Sequence, residues 1–142
     1  MDALNTGSML TIKKVHWQAM RQDVIDKNPE EACGILAGRN TKSQMLYIVT
    51  NELHSPIRFH MSPEEQLAAL MDIDECGFEM LAIYHSHPAG PARPSPTDVA
   101  EFAYPGVLYL IWVNVSGLWD CFGYEIENGS FRPVRFNVLE SE

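Results

Sequence analysis

The spacing of apolar residues along the chain predicts an alternation of helices and strands. Apolar residues that recur every three or four positions are typical of a helix, whereas short apolar runs bounded by turn residues are typical of buried strands. The segments with helical character are residues 15–28, 62–77 and 97–104. The segments with strand character are residues 33–38, 45–50, 80–84, 107–115, 119–126 and 131–136. This mixture predicts an α/β fold with a mixed β-sheet flanked by helices.

Capping and turn residues indicate where several of these elements end. The first helix should end near Asn28–Pro29, because the residue before a proline avoids the α region. The second helix should begin at Ser62, an N-cap serine that is followed by a proline in the first turn and by the acid of a capping box. Gly77 stands where the glycine of a helix C-cap belongs, and residues 39–43 are expected to form a turn between the first two strands.

Composition and charge narrow the classes of protein to which the chain could belong. With 142 residues, 46% hydrophobic and 20% charged, it is long enough for one globular domain, which we expect to span residues 1–142. The net charge of -9 would repel a phosphate backbone, so nucleic-acid binding is not expected. The longest apolar run, residues 107–113, is too short to cross a membrane, and residues 1–5 lack the pattern of a secretory signal. Three widely spaced cysteines do not suggest disulfides, so we expect a cytoplasmic protein.

The segment from His85 to Asp98 carries the strongest chemical signal in the chain. His85 and His87 follow an apolar strand at positions i and i+2, so both imidazoles should point the same way from an extended backbone. Two neutral imidazoles and one carboxylate, here that of Asp98, are a ligand set for a catalytic zinc ion that keeps a position open for water. A glycine and three prolines should make the loop between them a stiff turn that returns the chain towards the histidines: Pro88, Gly90, Pro91 and Pro94.

Each part of this segment also has a plainer interpretation. A His-x-His pair alone is most often a chance or solvated pair. Ser95 and Asp98 are also the N-cap serine and the capping-box acid expected at the start of a helix. The two interpretations of Ser95 and Asp98 are compatible, because a helix N-terminus can present both side chains to a site above it.

A zinc hydrolase also needs a general base, which has to come from elsewhere in the chain. Glu30 and Glu31 directly precede the first buried strand. Two acids between a helix and a strand are usually solvated surface, but one of them could fold over the zinc-bound water. The spacing alone does not choose between Glu30 and Glu31.

The complete pattern resembles the signature of the JAMM (JAB/MPN) metallopeptidase family. That signature has an upstream glutamate, then His-Ser-His, seven residues, a serine, two residues and an aspartate, and this chain matches it at every position from His85 to Asp98. Residues 29–38 resemble the family segment P-x-E-x-x-G-x-L-x-G, and this alignment picks Glu31 as the glutamate. Residues 58–67 are also similar to small stand-alone bacterial members of the family.

The resemblance implies a fold, a metal ion and a role for each residue of the signature. The fold would be the cytidine-deaminase-like MPN/JAB fold, and Zn2+ would be bound by His85, His87 and Asp98. Glu31 would activate the zinc-bound water as the general base. Ser95 would be the second catalytic residue and would donate a hydrogen bond to the oxyanion.

The resemblance also implies a substrate. Family members hydrolyse the amide or isopeptide bond after the C-terminal glycine of a ubiquitin-like protein, and small bacterial members act on ThiS- or MoaD-like sulfur carriers. This chain has little room for the insertions that grip polyubiquitin, which favours a sulfur carrier as the partner. Residues 57–61 or 89–93 are candidates for the edge that pairs with the carrier's extended tail.

Two other functions stay open at this point. Family members that lack the ligands act as non-catalytic scaffolds, and a related fold could serve a zinc hydrolase of a small molecule. The intact signature argues against a scaffold, and the missing Pro-Cys-x-x-Cys element argues against a deaminase. We expect the cysteines to be buried hydrophobes: Cys33, Cys76 and Cys121. The three other histidines should lie at the surface or in structural hydrogen bonds: His16, His54 and His60. Two tyrosines are candidates to line the site, Tyr84 and Tyr104.

Overall fold

A computed structural model describes residues 9–140, so both ends of the predicted domain, residues 1–142, lie outside the described residues. The helices are α1 (Lys14–Lys27), α2 (Pro63–Glu75) and α3 (Pro96–Glu101). The strands are β1 (Leu10–Ile12), β2 (Cys33–Arg39), β3 (Lys42–Val49), β4 (Glu79–His87), β5 (Leu108–Val115), β6 (Leu118–Glu127), β7 (Ser130–Val134) and β8 (Phe136–Val138). They form one mixed sheet in the order β7-β6-β5-β4-β2-β3-β1-β8.

The predicted ends of the first two helices agree with the structure, whereas the predicted third helix is too long. Helix α1 ends at Lys27, directly before Asn28–Pro29, and the Ser62 hydroxyl accepts a capping hydrogen bond at the start of α2. Helix α3 ends at Glu101 rather than at residue 104, because Phe102 takes an extended conformation and packs its ring on another aromatic side chain.

The strands differ from the predicted ones mainly at their ends. The predicted turn at 39–43 shrinks to Asn40 and Thr41, whose positive φ angles of 51° and 61° form a tight hairpin, so β2 and β3 are longer than expected. Strand β1 was not predicted, because three residues are too few to show a periodic pattern. The predicted strand 131–136 is two strands: β7 pairs with β6, and β8 pairs with β1.

The sheet buries a hydrophobic core on each face, and the pleat of β4 sends alternate side chains to the two cores. One core lies between the sheet and α2, and the other lies between the sheet and α1. Ile83 points into the α2 core, and His85 and His87 share its face because they follow at two-residue intervals. Tyr84 points into the α1 core, so the expectation that it lines the site was wrong. The histidines, both buried, therefore face the layer formed by α2, α3 and the loops beside them.

The three cysteines are unpaired thiols, and the three histidines other than His85 and His87 contact polar side chains. All three cysteines are free; Cys33 and Cys121 are buried as expected, while Cys76 at the end of α2 is only half-buried. Each of the other histidines pairs with a polar side chain: His16 with Ser43, His54 with Glu30, and His60 with Glu52. Between residues 9 and 140, none of the helices has the length and apolar character needed to traverse a bilayer.

Candidate metal centre

Three side-chain atoms converge on one point where β4 ends and α3 begins. His85 Nε2 lies 2.9 Å from His87 Nε2 and 3.3 Å from Asp98 Oδ2, and His87 Nε2 lies 3.1 Å from the same oxygen. A circle through three points at these separations has a radius of about 1.8 Å, which is shorter than the usual distance of about 2.0–2.2 Å from zinc to nitrogen or oxygen. A single ion can therefore contact all three atoms, and the group has the geometry of a metal site.

The strand pairing explains how the two histidines come to face this point. Strand β4 runs on through His87, three residues beyond the predicted strand 80–84, so His85 and His87 are both part of an extended backbone. Ser86, between them, faces the opposite way: its hydroxyl accepts from the Ala32 N–H at 2.8 Å, and its own N–H donates to the Ala32 carbonyl at 3.1 Å. These two hydrogen bonds hold the end of β4 against the start of β2.

The same pairing selects Glu31 over Glu30. Cys33 pairs with His85 in the antiparallel register, which places Glu31, two residues earlier, across from His87 on the same face. A Glu31 carboxylate oxygen lies within 4.8 Å of a ring nitrogen of both histidines. Glu30 instead pairs with His54 at 3.1 Å on the exposed side of the loop.

The environment of Glu31 fits a cation close by. Its side chain is 3% exposed, and its Oε1 atom has no hydrogen-bond partner among the described residues. An unpaired buried carboxylate oxygen is costly unless an ion or water satisfies it. Glu31 and Asp98 could each be a third ligand beside the two histidines. The direct contacts of 3.1 and 3.3 Å to the two histidines favour Asp98 as the third ligand, which leaves Glu31, within 4.8 Å of both histidines, as the group that could act on a bound water.

Asp98 combines the two roles that the sequence allowed. Its Oδ2 accepts from the Ser95 N–H at 2.8 Å, and its own N–H donates to the Ser95 hydroxyl at 3.0 Å, which together form the expected capping box. The same Oδ2 faces both histidines, while Oδ1 accepts a hydrogen bond from the buried Tyr109 hydroxyl at 3.2 Å. Ser95 uses its oxygen as an acceptor in the cap, so its hydroxyl proton stays available for a further acceptor.

Packing and one hydrogen bond fix the imidazole rings. His87 Nδ1 donates to the Pro91 carbonyl at 2.8 Å, which leaves the Nε2 lone pair directed at the convergence point. The fully buried His85 ring lies between the Phe59 ring, stacked at 4.6 Å, and the Tyr109 ring at 4.8 Å. The proline-containing loop therefore does return to the histidines, through the carbonyl of Pro91.

Burial and mutual charge raise the pKa values of Glu31 and His87 and lower those of Asp98 and His85. Burial raises the pKa of Glu31 to about 8, with His87 opposing the shift and Asp98 adding to it. Burial alone would raise the pKa of Asp98 as well, but hydrogen bonds from both histidines outweigh it and hold that pKa well below its usual range. Burial lowers the pKa of His85, whereas for His87 the Asp98 and Pro91 contacts outweigh burial and raise the pKa. A group of carboxyls and imidazoles with pKa values shifted this far apart is typical of a functional site.

Sequence reasoning missed three residues that support the centre: Asn51, Phe59 and Tyr109. Tyr109 lies in a predicted strand in which residues 108–113 are all buried, so no alternation in the sequence indicates which face its side chain takes. A cavity of about 180 Å³ borders Asp98 next to Phe59 and Tyr109. Tyr104 lines this cavity and accepts from Gln66 at 2.9 Å, so it lies beside the centre as expected.

Comparison with known proteins places the chain among proteins with this type of site. The sequence profile of the prokaryotic homologs of the JAB domain matches residues 13–123. The desampylase of Pyrococcus furiosus is 36% identical over 94 residues, which are 66% of this chain and 66% of that protein, so the match spans about two thirds of its length. The CysO-cysteine peptidase of Mycobacterium bovis is 31% identical over 116 residues, or 80% of each protein.

Solved structures agree with the sequence comparisons. The solution structure of a protein from Desulfitobacterium hafniense superposes with a TM-score of 0.82 at 33% identity and covers 94% of both chains. A JAB1/MPN domain protein from Archaeoglobus fulgidus superposes with a TM-score of 0.58 at 20% identity, over 92% of this chain and 99% of that one, which confirms the predicted MPN/JAB fold. The chain therefore belongs to the prokaryotic JAB-domain family, and the resemblance to the JAMM (JAB/MPN) proteins is confirmed.

Proposed function

We propose that this chain is a zinc-dependent metallopeptidase that hydrolyses the amide or isopeptide bond after the C-terminal glycine of a ubiquitin-like or sulfur-carrier protein. The observation that carries the proposal is the convergence of His85, His87 and Asp98 on one point, with the buried carboxylate of Glu31 nearby. The predicted class of enzyme agrees with the relatives, which are named as desampylases and as a CysO-cysteine peptidase.

Zinc is the metal that the donor atoms favour. Two imidazole nitrogens and one carboxylate oxygen are typical of catalytic zinc sites, which keep one position open. Zinc bound there would lower the pKa of a coordinated water to about 7 and would polarise a carbonyl oxygen. Among the described residues, no cysteine sulfur belongs to the group of side chains that could bind a metal.

The protein side chains supply the proton transfers and the positioning. Glu31 accepts a proton from the attacking water and returns it to the leaving amine; burial raises its pKa to about 8, and a cation bound nearby would lower that pKa. The Ser95 hydroxyl donates a hydrogen bond to the carbonyl oxygen as negative charge develops, a contribution on the order of 3 kcal/mol in comparable sites. His85, His87 and Asp98 would hold the metal ion.

The two segments expected to grip the tail of the carrier both touch the metal centre. Residues 57–61 place the Phe59 ring on His85, and residues 89–93 place the Pro91 carbonyl on His87. An extended C-terminal tail that paired with either segment would bring its final glycine to the centre. The net charge of -9 favours a carrier with a basic surface. The cytoplasmic location stays a prediction.

The test is hydrolysis of a defined substrate by matched variants. A ThiS- or MoaD-like carrier with a C-terminal extension is incubated with zinc-loaded protein, and the products are identified by intact mass. We expect the wild type and Glu30→Gln to release the extension after the terminal glycine, and Glu31→Gln to bind one zinc ion without releasing it. A zinc-loaded Glu31→Gln protein with full activity would contradict the assignment of the base. A zinc-loaded wild type that leaves every carrier intact would instead favour a scaffold or a small-molecule hydrolase.

A further inference from the structure

A single buried side chain, Asn51, lies between the base and the loop that covers His85. Asn51 lies two residues after the end of β3, is 4% exposed, and pairs with Met61 in an isolated β-bridge. Residues 52–60 therefore form a loop whose two ends lie side by side. The Asn51 side chain fills the space within that loop.

The Asn51 amide uses its full hydrogen-bonding capacity. Its Nδ2 group donates to the Glu31 carbonyl at 3.1 Å and to the Arg58 carbonyl at 3.0 Å. Its Oδ1 atom accepts from the backbone N–H groups of Leu53 and His60, both at 3.1 Å. Two donors and two acceptor positions are all that an amide side chain offers, so every one of them is used for a backbone group.

These four hydrogen bonds join the backbone of Glu31 to the loop that carries Phe59, and neither of these residues lies in a strand. Arg58 and His60 flank Phe59, so the amide holds the backbone on both sides of the ring that stacks on His85. Its remaining donor holds the backbone carbonyl of Glu31. The Glu31 N–H donates to the Ser55 carbonyl at 2.8 Å, so both backbone polar groups of Glu31 are bound by the segment that starts at Asn51.

We infer that Asn51 is a positioning residue, which sets the placement of the Glu31 carboxylate relative to the metal ligands. The inference rests on the proposed function, in which Glu31 is the general base. The Oε1 atom of Glu31 has no protein partner among the described residues, so the backbone anchors and the surrounding packing determine where the carboxylate lies. A displacement of about 1 Å at a reacting group can lower a rate by on the order of a hundredfold, so these anchors are expected to matter for turnover.

The first test compares two asparagine-to-aspartate variants. Asn51→Asp keeps the size and one acceptor of the side chain but removes the donors to Glu31 and Arg58. Asn114→Asp is the matched control, because Asn114 is exposed and uses only an acceptor atom, which aspartate retains, towards the Gly117 N–H. We expect Asn51→Asp to bind one zinc ion, to have kcat lowered at least about tenfold per zinc-loaded folded chain, and to keep KM within about threefold. A kcat within about twofold of the wild type, or a loss that lies wholly in KM, would overturn the inference.

The second test needs neither a variant nor activity, and it can overturn the inference even if Asn51→Asp does not fold. Amide hydrogen exchange is measured by NMR on the zinc-loaded wild type. The Leu53 and His60 amides donate to Asn51 and should exchange slowly, in the same range as amides in the central strand β2. Exchange of both amides at the rate of an open loop would show that Asn51 does not hold the loop, and would overturn the inference.

The two proposals fail in different ways. If the wild type does not hydrolyse any carrier, the proposed function fails, and the exchange of the Leu53 and His60 amides still reports whether the loop is held. If the wild type is active and Asn51→Asp equals it, the positioning role fails and the proposed function stands.

Discussion

The phenol of Tyr109 provides a direct way to test whether the Asp98 carboxylate is held in place for a metal ion. Its hydroxyl donates to Asp98 Oδ1 across 3.2 Å, while Oδ2 faces the two histidines. Tyr109→Phe removes this donor from a buried carboxylate without changing the shape of the ring. Hydrogen bonds to charged groups contribute about 1.5–3 kcal/mol, and a length of 3.2 Å places this one at the lower end. A loss of about 1.5 kcal/mol corresponds to zinc binding weaker by about tenfold.

Tyr84→Phe is the matched control on the opposite face of the sheet. Tyr84 is also buried, and its hydroxyl donates to Asp23 Oδ2 across 2.7 Å. Asp23 also binds Lys27 at 2.9 Å and lies in α1, away from the metal centre. Tyr84→Phe should therefore lower the free energy of unfolding by roughly 1.5–3 kcal/mol and leave the affinity for zinc unchanged.

The assay is competition for zinc between each protein and a chromophoric chelator of known affinity. Circular dichroism first establishes that both variants are folded at the assay temperature. We expect the Kd of Tyr109→Phe to rise about tenfold and that of Tyr84→Phe to stay within about twofold of the wild type. Equal affinities for Tyr109→Phe and the wild type would refute the reasoning that this hydrogen bond positions a metal ligand.

Three further predictions concern the close packing at Gly34, the ring that covers His85, and the removal of zinc. In Gly34→Ala the new Cβ would lie 2.3 Å from a ring carbon of Tyr84, so we expect the free energy of unfolding to fall by roughly 3 kcal/mol and the melting temperature by about 10 °C. In the control Gly117→Ala the new Cβ meets no atom within 4 Å, and the free energy of unfolding should fall by only about 1 kcal/mol because of the positive φ. Equal melting temperatures for the two variants would contradict the clash. Phe59→Ala uncovers the stacked face of His85, and stopped-flow mixing with a chelator should show zinc released several times faster than from the wild type. Removal of zinc by a chelator should abolish hydrolysis and leave the far-ultraviolet circular dichroism spectrum unchanged at 25 °C, because the two hydrophobic cores form without the ion; a loss of helical signal would contradict this.

Local patterns made the elements and the ligand segment predictable. The capping box of Ser95 and Asp98 lies within four consecutive residues, and the pair His85 and His87 needs only an extended backbone, so both follow from neighbours in sequence. The match to the family signature added the choice of Glu31 and the MPN/JAB fold. These features could be predicted because each depends on residues close together or on a fixed spacing.

The other contacts of the candidate site depend on strand register and loop packing, and neither can be deduced from one sequence. Glu30 and Glu31 are equivalent by spacing, and apart from the match to the family signature it is the pairing of Cys33 with His85 that distinguishes Glu31. Phe59 reaches His85 from a loop, and Tyr109 reaches Asp98 from a different strand, so both contacts depend on how α2 and α3 pack on the sheet. Such contacts leave no periodic signal in the sequence.

The bounds of helix α3 and of the last two strands also differ from those that the local sequence pattern predicts. The pattern of residues 97–104 predicts a helix, but the chain leaves the helix at Phe102, whose backbone is extended and whose ring packs on Tyr109. The run 131–136 fits one strand, but the chain leaves the β6 partner after Val134 and continues beside β1. Tertiary packing overrides the local preference at both places.

A zinc anomalous difference map from crystals of the reconstituted protein would show directly which side chains bind the ion. We expect one ion per chain within about 2.0–2.2 Å of His85 Nε2, His87 Nε2 and an Asp98 oxygen, with the Glu31 carboxylate outside the ligand shell. An ion bound by Glu31 and the two histidines with Asp98 turned away, or no ion at these residues in fully reconstituted protein, would contradict this expectation.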